Sequence, residues 1–187
     1  MRTTRTLPLR TILLATGLGL MASGSGFAQA TGAVTAGKTT GLAIPRYVSL
    51  KTDRVNLREG PSKDHRTLWV FQRAGLPVEI IAEFETWRRI RDAEGTEGWV
   101  LHSLLSGRRT ALVMPWAKNE TPPVQLQERA DERAETVARL QPHVIANVRE
   151  CTATWCRVVV VQAGARDLAG YIRQDRLWGV YPNEKIE

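Results

Sequence analysis

Residues 86–105 read Thr-Trp-Arg-Arg-Ile-Arg-Asp-Ala-Glu-Gly-Thr-Glu-Gly-Trp-Val-Leu-His-Ser-Leu-Leu, and the reading of this stretch decides the fold. A strand opens at Trp87, Glu94-Gly95-Thr96 makes a turn, Gly98-Trp99-Val100 starts a second strand, and a tight turn ends in the apolar pair Leu104-Leu105. A weaker copy lies downstream in Trp155, Gly170-Tyr171-Ile172 and Leu177. The copies extend backwards. Val55-Asn56-Leu57 and Val124-Gln125-Leu126 are offset by 69 residues, and the same offset carries Leu68 onto Val137 and Phe71 onto Leu140. Trp87 falls on Trp155 at an offset of 68, whereas Gly98 falls on Gly170 and Leu105 on Leu177 at 72. The jump of four is absorbed by a longer hairpin loop at Gln162–Asp167, where an insertion into a duplicated unit is best tolerated.

Around this stretch the chain reads as short strands separated by turn chemistry, the pattern of a small barrel or sandwich. Strands are expected at Tyr47–Leu50, Val55–Leu57, Arg66–Phe71, Val78–Phe84, Trp87–Arg91, Trp99–Leu101 and Ala111–Met114, with turns at Glu59-Gly60-Pro61-Ser62 and Ala74-Gly75-Leu76-Pro77. The polar, proline-ended stretch 118–123 reads as a linker. It sets the expected units at 45–117 and 124–187, with Met114-Pro115-Trp116 closing the first or filling the seam between the two. From 125 to 140 the two signals conflict. Leu126, Ala130, Ala134, Val137 and Leu140 approximate a helical stripe, but the repeat makes the same residues a strand, a long loop and a strand. The repeat is followed, because tertiary context overrides local propensity.

The first 30 residues stand apart. Arg2, Arg5 and Arg10 form a basic leader, 11–24 is an apolar and small-residue run, and Ala28-Gln29-Ala30 offers a cleavage site, together the signature of a secretory signal peptide. Residues 31–44, rich in Gly, Thr and Ala, read as a flexible segment. The expected location is periplasmic or secreted, with no membrane span in the mature chain. Removing the three leader arginines from 26 basic residues leaves 23 against 19 acids, a net charge of +4 in place of +7. That modest, dispersed excess excludes nucleic acid as a partner while favouring anionic envelope polymers. Cys151 and Cys156, the only cysteines, are expected to form a disulfide in an oxidising compartment; free structural thiols are the alternative.

Val55-Asn56-Leu57-Arg58-Glu59-Gly60-Pro61-Ser62 resembles the opening motif of bacterial SH3-like domains, and Trp87 followed by Gly98-Trp99-Val100 resembles their later strands. The resemblance covers 47–114 well and 124–182 more faintly, because Arg129-Ala130-Asp131 replaces Gly60-Pro61-Ser62. It implies an all-β chain of two tandem five-stranded barrels, each with a groove between its long first loop and the loop before the tryptophan. Carried over by position, Trp87 faces a ligand, Trp99, Leu101 and Leu104 form the groove floor, and Ile90, Val100 and Leu105 lie in the core. In the second copy Trp155, Tyr171, Arg173 and Arg176 line the groove, with Val158, Ile172 and Leu177 inside. The tyrosine pair of eukaryotic SH3 loops is missing, which argues against polyproline recognition.

Catalytic patterns are absent from the sequence. His65, His102 and His143 all precede Cys151, whereas cell-wall cysteine peptidases need a histidine downstream of the nucleophile. No metal-ligand spacing, phosphate-cradling loop or paired acids set for glycoside hydrolysis occurs. The expectation is a non-enzymatic binding module with no cofactor and no metal, its partner peptidoglycan or its stem peptides, or alternatively an envelope protein.

Overall fold

The structure, a computed structural model, describes residues 34–118 and 121–187. The expected signal peptide and the first residues of the 31–44 segment lie outside the described residues. So do Asn119 and Glu120 of the expected linker.

Two seven-stranded antiparallel sheets follow one another along the chain. The first is built from β3 (Arg46–Leu50), β4 (Val55–Arg58), β5 (Thr67–Phe71), β6 (Pro77–Phe84), β7 (Trp87–Arg91), β8 (Glu97–Leu101) and β9 (Leu105–Ser106), with a 3-10 turn at His102–Leu104 before β9. The second is built from β10 (Thr110–Val113), β11 (Val124–Gln127), β12 (Thr136–Leu140), β13 (Ile145–Cys151), β14 (Trp155–Val160), β15 (Leu168–Arg173) and β16 (Leu177–Trp178), with the matching turn at Gln174–Arg176. Strand order is β5-β4-β8-β7-β6-β3-β9 in one and β12-β11-β15-β14-β13-β10-β16 in the other, position for position the same. The irregularities repeat as well. Register shifts fall at Leu57/Arg58 and Ile80/Ala82 in the first sheet and at Leu126/Gln127 and Val148/Glu150 in the second. A bulge bends a strand and raises its twist, so both units curl at the same places.

The strand alternation expected from the sequence is obeyed. In β8, Gly98 and Val100 face inward while Glu97, Trp99 and Leu101 face outward. Leu50, Val55, Leu57, Val78, Ile90 and Val100 form the centre of the first core, with Leu105 packed against its edge. Leu126, Ala146, Val158, Ile172 and Leu177 lie in the second. Residues 125–140 form strand, loop and strand, so sheet pairing overrides the helical stripe. Cys151 and Cys156 are bridged at directly opposed positions of the β13–β14 hairpin. A bridge across so short a loop contributes about 2 kcal/mol on the chain-entropy model.

Three expectations need correction. Each unit has seven strands rather than five. The strand at 110–113 belongs to the second unit: Ala111 pairs with Ala146 and Val113 with Leu177, and Met114 is buried in the second core. The units therefore meet at residues 107–109, and the first strand of the second unit precedes the expected linker rather than following it. Met114-Pro115-Trp116 does not fill the seam, since Trp116 is 53% exposed. The seam is made instead by Trp178 and Tyr181 against the Tyr47 ring, at centroid distances of 5.2 and 4.6 Å. It also holds three hydrogen bonds, Thr110 Oγ1 donating to the Gly75 carbonyl at 2.8 Å, Tyr181 Oη donating to Glu79 Oε1 at 2.9 Å and Arg73 Nη1 donating to the His143 carbonyl at 3.1 Å.

The segment expected to be flexible forms a hairpin of β1 (Thr35–Ala36) and β2 (Ala43–Ile44) within residues 34–44. Glu83 holds it. Its carboxylate accepts the backbone N–H groups of Thr39 and Thr40 at 3.1 and 3.0 Å, the Thr40 hydroxyl at 2.7 Å and the Arg46 guanidinium at 2.8 Å. Burial pushes the Glu83 carboxyl up, but these donors outweigh it and bring it down to about 2. A carboxyl whose folded value lies below its unfolded one near 4.5 contributes stability that is complete above that unfolded value and lost as pH falls towards 2. Allowing for screening by solvent, the contribution is on the order of 1–2 kcal/mol. Protection of the Thr39 and Thr40 amides, taken relative to their intrinsic exchange rates, is therefore expected to fall between pH 4.5 and 2 in the native chain, and to be low throughout that range in Glu83→Gln. Unchanged protection in that variant would reject the clamp.

Candidate functional site

The β7–β8 pairing sets Trp87 directly opposite Leu101. Trp87 is 7% exposed, so most of the indole is a packing surface and only its edge is offered to solvent. That edge floors a hollow of about 680 Å3 walled by Pro61, Ser62 and Lys63 of the β4–β5 loop, the Glu85-Thr86 turn, and His102-Ser103. A neighbouring depression of about 280 Å3 shares Lys63, Trp87 and Leu101 and adds Leu104, Arg54, Asn56 and Arg58. The two together make one bent groove across the end of the first sheet.

The long loop is held in place by its own polar contacts. Arg58 donates to the Lys63 and His65 carbonyls at 2.9 and 2.7 Å, and the Ser62 hydroxyl donates to Asp64 at 2.9 Å. Asx- and Ser-turn bonding of this kind orders a loop that has no strand partner. At the other lip Glu85 takes φ 46° in the two-residue turn, an arrangement that suits a tight hairpin.

The electrostatics are lopsided. Arg54, Arg58 and Lys63 line the smaller depression, and none is in an ion pair among the described residues. The only acid lining either hollow is Glu85. The β7 arginines differ. Arg88 is buried beside Glu83, Arg89 reaches Glu97 at 2.8 Å and Arg91 reaches Glu79 at 2.6 Å, so their charge is already matched.

Of the expected groove residues, Trp87, Leu101 and Leu104 are brought together. Trp99 points from the same strand face but lies off both hollows, opposite Arg58 and Arg89. In the second unit Trp155 stands opposite Arg173. Arg173 is engaged by Glu132 at 2.6 Å and Asp175 at 3.2 Å, the Tyr171 hydroxyl donates to Glu150 at 3.3 Å, and Arg176 lies 3.7 Å from Asp175. Lys63, Arg54, Arg58 and the Glu85-Thr86 turn were not foreseen as lining residues. The one signal was the Arg58–Ser62 motif, which marks the fold without showing that its loop folds over Trp87. No histidine side chain is hydrogen-bonded to a serine among the described residues, and both thiols are bridged.

The family model for the bacterial SH3 domain matches the chain twice, over residues 51–107 and 120–179. Those two spans correspond to the two sheets. No curated protein matches the chain. Among solved structures, the chain is similar to NlpC2 from Trichomonas vaginalis at 12% identity and a TM-score of 0.31, covering 72% of this chain and 48% of that one. It is likewise similar to NlpC1 from Trichomonas vaginalis at 12% identity and 0.31, covering 76% and 48%. The chain spans about half the length of both.

Proposed function

The chain belongs to the bacterial SH3 domain family, and on that footing we propose that it is a non-catalytic binding module working outside the cytoplasm, which takes peptidoglycan or its stem peptides into the Trp87 groove. The observation that carries this reading is the open hollow in which an apolar floor of Trp87, Leu101 and Leu104 meets three cations without ion-pair partners. Stem peptides combine small apolar side chains with carboxylates, the two features this lining complements. A concave site with an apolar floor and few polar groups is the usual form of a ligand pocket.

Pull-down with purified peptidoglycan sacculi tests the reading. Wild type is expected to co-sediment, and Leu104→Asp, which places a charge on a half-buried groove position, is expected to cut the bound fraction about tenfold, or about 1.4 kcal/mol. Trp87→Ala is a poor probe, because the indole is mostly core. No retention of wild type, or equal retention of the two proteins, would reject peptidoglycan as the ligand.

A second reading, a scaffold for an envelope protein, is favoured by Leu68 and Trp69, which are 40% and 60% exposed on β5 at the edge of the first sheet. Exposed aromatic edges pair readily with other chains. Photo-crosslinking from position 69 in cells would give a discrete protein adduct on this reading and none on the first.

A further inference from the structure

The groove positions of the first unit and their counterparts in the second share one backbone and differ in charge. Arg58 donates to the carbonyl of Lys63, and Gln127 donates at 2.9 Å to the carbonyl of Glu132; Lys63 and Glu132 are thus the same loop position. Trp87 faces Leu101 across the hairpin, and Trp155 faces Arg173. Leu104 and Arg176 each end the 3-10 turn. By these matches the first groove has cations on its loop side and leucines on its floor, and the corresponding positions of the second unit hold an acid on the loop and arginines in place of the leucines.

In the second copy that inversion is closed within the chain. The Glu132 carboxylate crosses from the loop to Arg173 at 2.6 Å, and Asp175 takes the other side of the same guanidinium at 3.2 Å. The pair is solvent-exposed, 40% and 70%, so it adds little to stability. What it decides is the charge presented at the groove: a carboxylate already occupies the span between loop and floor. In the first copy the equivalent lysine reaches over the hollow and meets no carboxylate among the described residues.

We propose that the copies have divided their roles: the first groove binds a ligand by a carboxylate against Lys63, with Arg54 and Arg58 alongside and an apolar group on Leu101 and Leu104, while the second is filled by its own Glu132 and leaves that ligand unbound. This rests on the Trp87 groove being a binding site, as proposed above, and adds the ligand chemistry and the silence of the second site. Opposite charge across an interface serves orientation and selection more than raw affinity, so the carboxylate should decide which ligands enter.

Amide chemical-shift titration of the whole mature chain tests both halves. The probes are soluble muropeptides from a muramidase digest, the same muropeptides with their carboxyls amidated, and a random glutamate–alanine copolymer. Saturable shifts are expected around Lys63, Leu101 and Leu104 and none around Trp155 and Arg173. Amidation, or Lys63→Glu at this exposed loop position, is expected to weaken binding at least tenfold. Equal saturation of the second groove would overturn the division of roles, and equal affinity for the amidated probe would overturn the carboxylate while leaving peptidoglycan binding intact. Binding of the copolymer at the first groove with no binding of muropeptides would uphold this inference and reject peptidoglycan. Binding of neither probe would reject the inference itself.

Discussion

Gly98→Ala is expected to destabilise the first unit by roughly 3 kcal/mol, a large share of the 5–15 kcal/mol that holds a domain together. A Cβ at this position would stand 2.6 Å from Leu57 Cγ and 2.8 Å from the Arg58 carbonyl oxygen. Neither neighbour has room to yield. Leu57 is fully buried, and the Arg58 backbone is held at the bulge where β4 pairs with both β5 and β8. Relief would require β4 to lift off β8, opening the core and withdrawing the Arg58 side chain that braces the groove loop. Gly107→Ala is the control, since a Cβ there meets nothing within 4 Å; it should change the unfolding free energy by no more than about 0.5 kcal/mol. Equal midpoints for the two variants, followed by tryptophan fluorescence, would show that the strands do not approach as described. The same approach recurs at Gly170, where a Cβ would stand 2.6 Å from the Gln127 carbonyl oxygen.

The second large effect is expected at the seam. Glu79 is buried between the units, accepting the Tyr181 hydroxyl on one oxygen at 2.9 Å and the Arg91 guanidinium on the other at 2.6 Å. In Glu79→Ala the Arg91 head, whose side chain is 43% exposed, turns to water at little cost. Tyr181, half-buried against the Tyr47 ring, loses its acceptor. A stranded polar group of this kind costs about 2 kcal/mol, and because the loss falls on the contact joining the units, calorimetry should resolve two transitions where the native chain shows one. Glu79→Gln keeps an oxygen for Tyr181 and should lie between. The tyrosines give an independent readout. Burial first, and then the Glu79 charge, hold the phenols of Tyr47 and Tyr181 well above the ordinary tyrosine range. Removing the acid should lower the pH at which both ionise in an ultraviolet titration. A single unshifted transition together with an unchanged titration would mean that the seam does not depend on Glu79.

Much of the architecture was legible because strands and turns are local features. The outward–inward alternation at Trp99 and Val100, the turn glycine at Gly95 and the 69-to-72-residue offset survive in the chain whatever its partners do. Even the helical stripe at 125–140 was resolved by the repeat, since Val124 and Phe71's counterpart Leu140 had to keep their strand roles. The groove was half legible. Trp87, Leu101 and Leu104 follow from strand register, but Lys63 reaches the same hollow only through the path of the β4–β5 loop and Arg54 from the turn before β4, and Trp99 misses it by sitting two residues before Leu101 on its strand.

What the sequence by itself determined is the repeat, read from its offset of 69 to 72 residues, and the all-β class, the strand positions and the cysteine pairing, which are set by patterns within a hairpin's length. Tertiary structure alone decided the allegiance of Thr110–Val113, which pairs with strands 33 and more residues downstream. It alone decided the capture of the N-terminal hairpin by Glu83, 43 residues from Thr40. It alone set the contrast between the open groove at Lys63 and the one closed by Glu132 on Arg173, 41 residues away. The reason is physical: a charge or an edge strand takes its role from whatever the fold brings within about 3 Å, and separation along the chain does not disclose that neighbour.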